Sequence, residues 1–376
     1  MSIKAIVNGQ VFTMAGPVYK PGVVLIEGDK IAAVGAAEAV AIPPSAEIID
    51  AAGAYVFPGF IDAHCHVGIY EEIYQVEGDD VNEMTDPATP HLRALDAINP
   101  EDVGFKDCLA GGVTTVVVGP GSGNVIGGEM VALKTWGQVV DEMLIRPVGL
   151  KVAFGENPKK VYGAQKRTPS TRMGTAAILR ENLVKAANYL AKEDKERDLK
   201  LEALARVLKG EMPLRAHAHR ADDIATAIRI AREFGVKIVI EHCTEGHKIA
   251  DWLARQQVAA IVGPVITSRA KVELKDKTPE TAKILHNAGV PVALMTDAPV
   301  IPANYLNLSA ALVAREGLEP MQALAAITSR AAEIVGIADR VGTLEAGKDA
   351  DMVIWDRFPL ELEARPLKIF IEGRVT

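Results

Sequence analysis

The chain has 376 residues, 49% hydrophobic, 5% aromatic and 24% charged, which excludes disordered and fibrous proteins and is ordinary for a globular one. Its formal net charge of −8, with no stretch that concentrates Lys and Arg, argues against nucleic acid or an anionic membrane as a partner. Three scattered cysteines (Cys65, Cys108, Cys243), no apolar leader and no apolar run of roughly eighteen residues point to a reducing setting, and the cytoplasm is the expected location.

Residues 1–54 alternate short apolar runs, such as Ala5-Ile6-Val7 and Val23-Val24-Leu25-Ile26, with turn signals at Asn8-Gly9, Gly28-Asp29 and Gly53. This predicts strands without helices. From residue 55 onward, Tyr55–His66, Val113–Gly119, Ile145–Gly155, Leu214–His219, Ile238–His242, Ala259–Gly263 and Val290–Thr296 read as buried strands. Amphipathic stretches such as Asp222–Phe234 and Pro279–Asn287 lie between some of them. Repeated β-then-α predicts a parallel sheet, either closed into a barrel or left open and doubly wound. Strand grammar returns at 342–374. Neither end alone buries enough surface to be stable, so residues 1–54 and 340–376 are expected to form one small discontinuous β domain around an α/β unit at 55–339.

Most of the eight histidines fall at the C-terminal ends of predicted strands, the edge where parallel α/β proteins place ligands. In Phe60-Ile61-Asp62-Ala63-His64-Cys65-His66 a period of two puts both imidazoles on one face and Cys65 on the other. His217 and His219 repeat the spacing, Glu241-His242-Cys243 closes the next strand, and Asp297 follows the last. Imidazole and carboxylate donors on separate strands suit Zn²⁺, Fe²⁺ or Mn²⁺ in an open site. Cys65 and Cys243 are expected to pack rather than react. Gly119-Pro120-Gly121-Ser122-Gly123-Asn124 fails the dinucleotide register, with Asn124 or Ile126 where a third glycine is needed, and reads as a turn at the mouth.

Pro58-Gly59-Phe60-Ile61-Asp62-Ala63-His64-Cys65-His66, His217, His242, Thr296-Asp297-Ala298 and Gly342-Thr343-Leu344-Glu345-Ala346-Gly347-Lys348-Asp349-Ala350-Asp351 together resemble the amidohydrolase superfamily, in its imidazolonepropionase-like branch. The resemblance implies a (β/α)8 TIM-like barrel with a small β-sandwich domain formed by both termini. It also implies a divalent metal, zinc first with iron or manganese as alternatives, as one or two ions. By position, His64 and His66 match the first-strand ligands, His217 and His242 those of the fifth and sixth strands, and Asp297 the metal-binding, proton-moving aspartate. His219, one same-face step beyond His217, is a candidate to orient a substrate carbonyl.

In binuclear members a carboxylated lysine bridges the ions, and Lys151 in Gly149-Leu150-Lys151-Val152-Ala153-Phe154-Gly155 fits that place. Burial of an amine favours the neutral form that carboxylation needs. Glu156 is the unmodified rival and Glu129 a third carboxylate. The implied reaction is hydrolysis of a C–N bond in an amide, lactam, N-acyl compound or small peptide. Deamination on the same barrel is the alternative, against which stands Arg220 where deaminating members carry a Glu. A metal-free scaffold is a further alternative. The expected partner is a small-molecule substrate, with homo-oligomers common in the family. Tyr162, Arg167 and Arg220 are candidates to hold a substrate carboxylate, and the acidic segment Glu71–Asp80 and the basic segment Lys159–Arg167 to border the mouth.

Overall fold

The computed structural model describes residues 2–73 and 76–376. Five strands come first: β1 (Ile3–Phe12), β2 (Val18–Glu27), β3 (Lys30–Ala36), β4 (Glu47–Asp50) and β5 (Tyr55–Pro58). Eight then form the α/β sheet: β6 (Phe60–Cys65), β7 (Val113–Val118), β8 (Ile126–Lys134), β9 (Leu144–Ala153), β10 (Leu214–Ala218), β11 (Ile238–His242), β12 (Ala259–Val262) and β13 (Val292–Leu294). β14 (Met352–Trp355), β15 (Pro366–Ile371) and β16 (Arg374–Val375) end the chain.

The terminal strands build one sheet in the order β16-β15-β14-β5-β1-β2-β3, with β4 also on β1. Ile6, Ile26, Ile31, Ile49, Val56, Ile354 and Phe370 meet in a core of their own, so this sheet folds over itself to exclude water. The run expected as a single strand, Tyr55–His66, divides at Gly59: β5 pairs with β1 and β14, while β6 enters the barrel. A side chain at Gly59 would strike Thr114, which is why the crossing needs glycine.

The second sheet is a nearly closed eight-stranded barrel, as the resemblance implies. Its departure from a uniform (β/α)8 pattern is β8, which runs antiparallel to both β7 and β9. β8 is apolar at nearly every position and buried throughout, so it carries no alternation to mark it as a strand. Between β13 and β6 the barrel is drawn together by Asp62, whose carboxylate accepts from the Thr296 amide (3.2 Å), the Thr296 hydroxyl and the His64 amide (3.3 Å). Helices cover the outside. In Ala221–Phe234, Ile224, Ala227, Ile228 and Ala231 recur at helical spacing and are buried, and left-handed Gly235 (φ 66°) ends the helix.

The two sheets share a buried ion network. The Lys134 Nζ at the end of β8 donates to Asp349 (2.7 Å) and Asp351 (2.6 Å) from the C-terminal segment. Lys30 and Arg340 also reach Asp349, but Asp351 has Lys134 as its only ion-pair partner among the described residues. The variant Lys134→Met is therefore expected to lose about 3 kcal/mol, because it strands the buried Asp351 carboxylate. A urea midpoint unchanged from the wild type would refute this role.

Candidate metal centre

The C-terminal ends of four barrel strands deliver the candidate ligands to one place. β6 carries His64 and is followed by His66; β10 carries His217 and is followed by His219; β11 ends in His242; and Asp297 follows β13. A register shift between Asp62 and Cys65 lets Ala63 face the barrel interior while His64 and His66 reach the mouth. Cys65 turns out into the core under the helices, as does Cys243, both fully buried. His242 (φ 67°) and Asp297 (φ 59°) adopt left-handed backbone at the strand ends, a conformation non-glycine residues hold only where surrounding structure enforces it.

Two groups of three donor atoms result, His64 with His66 and Asp297, and His217 with His219 and His242; within each group the atoms lie within 4.8 Å of one another. The groups adjoin, with the His64 and His242 ring centroids 5.7 Å apart. Asp297 Oδ1 is 3.3 Å from Nε2 of both His64 and His66. Three rings are oriented through Nδ1: His66 by the Gly119 carbonyl (2.7 Å), His242 by that of Gly263 (3.1 Å), and His219 by the Thr244 hydroxyl (2.8 Å). Each contact turns Nε2 toward the group's centre, as an outer shell does for metal-binding histidine. The predicted turn after β7 thus has a task, since Gly119 aims His66.

Nε2 of His217 and of His219 is buried without a hydrogen-bond partner among the described residues. A cation among these atoms would satisfy them, so the donor set fits a divalent metal. The electrostatics agree. Burial and the neighbouring imidazoles of His242 and His219 hold His217 well below the usual histidine range. Burial and His242 do the same to His219. Burial pushes His242 down to about 3. Burial works against the charge on Asp297, yet His242, His64 and His66 outweigh it and hold the carboxyl well below its ordinary value. Near neutral pH His66, His217, His219 and His242 are thus unprotonated and Asp297 is ionised, the forms that bind metal, whereas burial lowers His64 but Glu241 beside it outweighs burial and raises its pKa.

Beneath the clusters lies a network that sequence reasoning passed over. Glu241, fully buried on β11, accepts from Lys151 Nζ (2.7 Å) and Arg215 Nε (2.9 Å), and its Oε1 lies 3.1 Å from His64 Nδ1. Arg215 also donates to the Ala63 carbonyl (2.8 Å). Period two on β9, β10 and β11 puts Lys151, Arg215 and Glu241 on the inner face with His217, and that alternation was the available signal. Lys151 Nζ lies 3.3 Å from His64 Nε2, and Lys151 lines the same cavity as both clusters.

That cavity measures about 580 Å³ and opens at the barrel mouth, with His64, His66, His217, His219, His242 and Asp297 in its wall. The other sequence candidates lie elsewhere. Glu156 opens the helix Glu156–Ala164, its amide bound by Glu273 (3.1 Å), and joins neither cluster. Glu129 pairs with Arg206. Tyr162 is buried and donates to Asn124 (2.7 Å), and Arg167 stacks over its ring and bonds the Thr85 carbonyl. Arg220 pairs with Asp222 on the surface (2.8 Å). Tyr162, Arg167 and Arg220 do not line the cavity, whose cationic wall residues besides Lys151 are Lys271 and Lys277. Of the acidic segment Glu71–Asp80, Tyr74 and Gln75 lie outside the described residues.

The model of the amidohydrolase family matches residues 153–376 of this chain. The chain belongs to the amidohydrolase family. A crystal structure of an amidohydrolase from Thermotoga maritima MSB8 is 45% identical and superposes with a TM-score of 0.95, covering 99% of this chain and 98% of that one. The imidazolonepropionase of Caulobacter vibrioides is 28% identical over 93% of this chain and 91% of its own length. Amidohydrolase tasK of Hapsidospora irregularis is 30% identical over 88% of this chain, which spans 37% of that longer protein. Among the described residues of this amidohydrolase no helix is long and apolar enough to cross a membrane.

Proposed function

We propose that this amidohydrolase hydrolyses a C–N bond, in an amide, lactam, N-acyl compound or small peptide, with divalent metal, zinc foremost, held at the barrel mouth. The observation that carries this reading is the meeting of two three-donor groups from four strands on one cavity. In it, His64, His66 and Asp297 hold one ion, and His217 and His242 hold a second. Carboxylation of Lys151, whose Nζ lies on the cavity wall 3.3 Å from His64 Nε2, would make a cation facing imidazoles into an anionic ligand between the groups.

When bound, the metal supplies Lewis acidity, bringing the pKa of a water toward neutrality and polarising a carbonyl oxygen. Asp297, ionised and fixed between His64 and His66, accepts the proton of the attacking water and then delivers it to the leaving nitrogen. Held at Nδ1 by the Thr244 hydroxyl, His219 would, in its Nε2-protonated tautomer, donate a hydrogen bond to the substrate carbonyl oxygen rather than join His217 and His242 as a ligand. A cavity of about 580 Å³ suits a small molecule.

The test is metal quantification joined to a hydrolysis screen over lactams, hydantoin-like rings, N-acyl amino acids and dipeptides. At least one transition-metal ion per chain is expected, with turnover that chelation abolishes and zinc with bicarbonate restores. Less than one ion per chain, with no turnover after both are added, would remove the proposal and favour a scaffold.

A further inference from the structure

The loop after β12 forms one side of the cavity and carries Arg269, Lys271, Lys275 and Lys277. These cations are not equivalent. Lys275 lies 3.8 Å from Asp276, and Lys271 lies 3.5 Å from Glu273 and also donates to Asn157 (3.2 Å). Lys277 has no carboxylate within ion-pair distance among the described residues. Its ammonium is half-buried in the cavity wall and donates to neutral oxygens alone: the Thr267 carbonyl, the Thr267 hydroxyl (2.6 Å) and, at a longer 3.3 Å, the Val265 carbonyl. Arg269 is likewise spent on the carbonyls of Lys275 (3.0 Å) and Lys277 (3.1 Å).

Neutral oxygens solvate a cation but do not neutralise it, and this one also feels Arg269, which together with burial pushes its pKa down. An unpaired, half-buried ammonium on the wall of a binding cavity is a place where an anion gains a charge-assisted hydrogen bond and relieves repulsion at once. Thr267 contributes a hydroxyl that can rotate from accepting to donating. Thr278, beside Lys277 in the chain, also lines the cavity.

We propose that Lys277, with Thr267, forms the subsite for a carboxylate on the substrate, so that the bond cleaved belongs to an acidic amide, an N-acyl amino acid or a dipeptide with a free C-terminus. This rests on the hydrolytic reading above and narrows it. It also moves the anion-holding role from Tyr162, Arg167 and Arg220, none of which lines the cavity, to the loop after β12. Lys271 is the weaker choice because Glu273 already faces it.

The experiment offers zinc-loaded wild-type, Lys277→Met and Lys277→Arg proteins a panel of N-acetyl-L-amino acids and dipeptides, each beside its C-terminal carboxamide. Turnover and calorimetric binding are both read. The wild type should prefer acid over carboxamide at least tenfold in kcat/KM, chiefly through KM. Lys277→Met should abolish that preference by costing each acid at least tenfold more in kcat/KM than its carboxamide, and Lys277→Arg should keep most of it. Acid preference that survives Lys277→Met, or an equal loss on acid and carboxamide, overturns the subsite. Cleavage by the wild type without acid preference overturns it too and leaves the hydrolytic reading standing. If nothing in the panel is cleaved, binding decides: tighter binding of acid, lost in Lys277→Met and kept in Lys277→Arg, supports the subsite, and indifferent or absent binding overturns it.

Discussion

Asp297→Asn is expected to lower kcat by about 10³-fold, the range lost when a positioned acid–base group is removed. The amide keeps the shape of the side chain and removes its charge and basicity. Both matter here, since Asp297 Oδ1 stands 3.3 Å from His64 and from His66 and its carboxyl is held ionised by those rings and His242. The left-handed backbone at Asp297 fits asparagine, a residue that tolerates this conformation, so the fold should be spared. Metal content must be measured with activity, because asparagine also weakens a ligand. A variant that holds full metal and retains more than a tenth of wild-type kcat would deny Asp297 its proton-moving role.

Glu241→Gln is expected to cost stability on a similar scale of consequence, about 3–5 kcal/mol at pH 7, the range seen when one partner of a buried ion pair is removed. In the metal-free protein with Lys151 unmodified, the glutamine leaves Lys151 and Arg215, both buried, without their shared counter-charge. The effect has a sign in pH. Burial alone would raise the Glu241 carboxyl, but His64, Lys151 and Arg215 outweigh burial and hold it well below its ordinary 4.5. A group depressed in the folded state stabilises above its unfolded pKa and loses that contribution as pH falls through the folded one. The gap between wild type and variant should thus be full at neutral pH and shrink as pH drops below 4.5. Urea titrations at several pH values measure it, and a difference under about 1 kcal/mol at pH 7 would show the network to be dispensable.

The histidines were legible because their signal is local. Two residues apart on a strand means one face, and a strand's C-terminal end means the ligand edge, so His64, His66, His217 and His242 needed no long-range knowledge. Glu241, Arg215 and Asp62 were missed: alternation puts Glu241 and Arg215 on the inner face with His217, but the role of a buried charge declares itself only through its partner, and those partners lie on other strands. β8 escaped because its two charged residues, Glu129 and Lys134, make no alternation in an otherwise apolar, glycine-containing run, and its reversal depends on pairing between segments. The carboxylate-holding candidates went astray for a related reason: Tyr162, Arg167 and Arg220 follow strand ends as expected, but neighbours in the fold capture each of them. Lys277 sits in an ordinary charged loop and stands out only once the positions of the carboxylates around it are known.

The crossing at Gly59 has an evolutionary corollary. The backbone that ends as β5 among the terminal strands resumes at once as β6, and Trp355 of β14 stacks on Phe60 at 5.1 Å between ring centroids, four residues ahead of His64. Mutational drift at the chain's extremities therefore cannot be neutral merely because it is remote from the mouth. Changes in β14 bear on a single ribbon that leads through Phe60 to the first pair of imidazoles, so a substitution at Trp355 reaches the mouth through the backbone that carries His64.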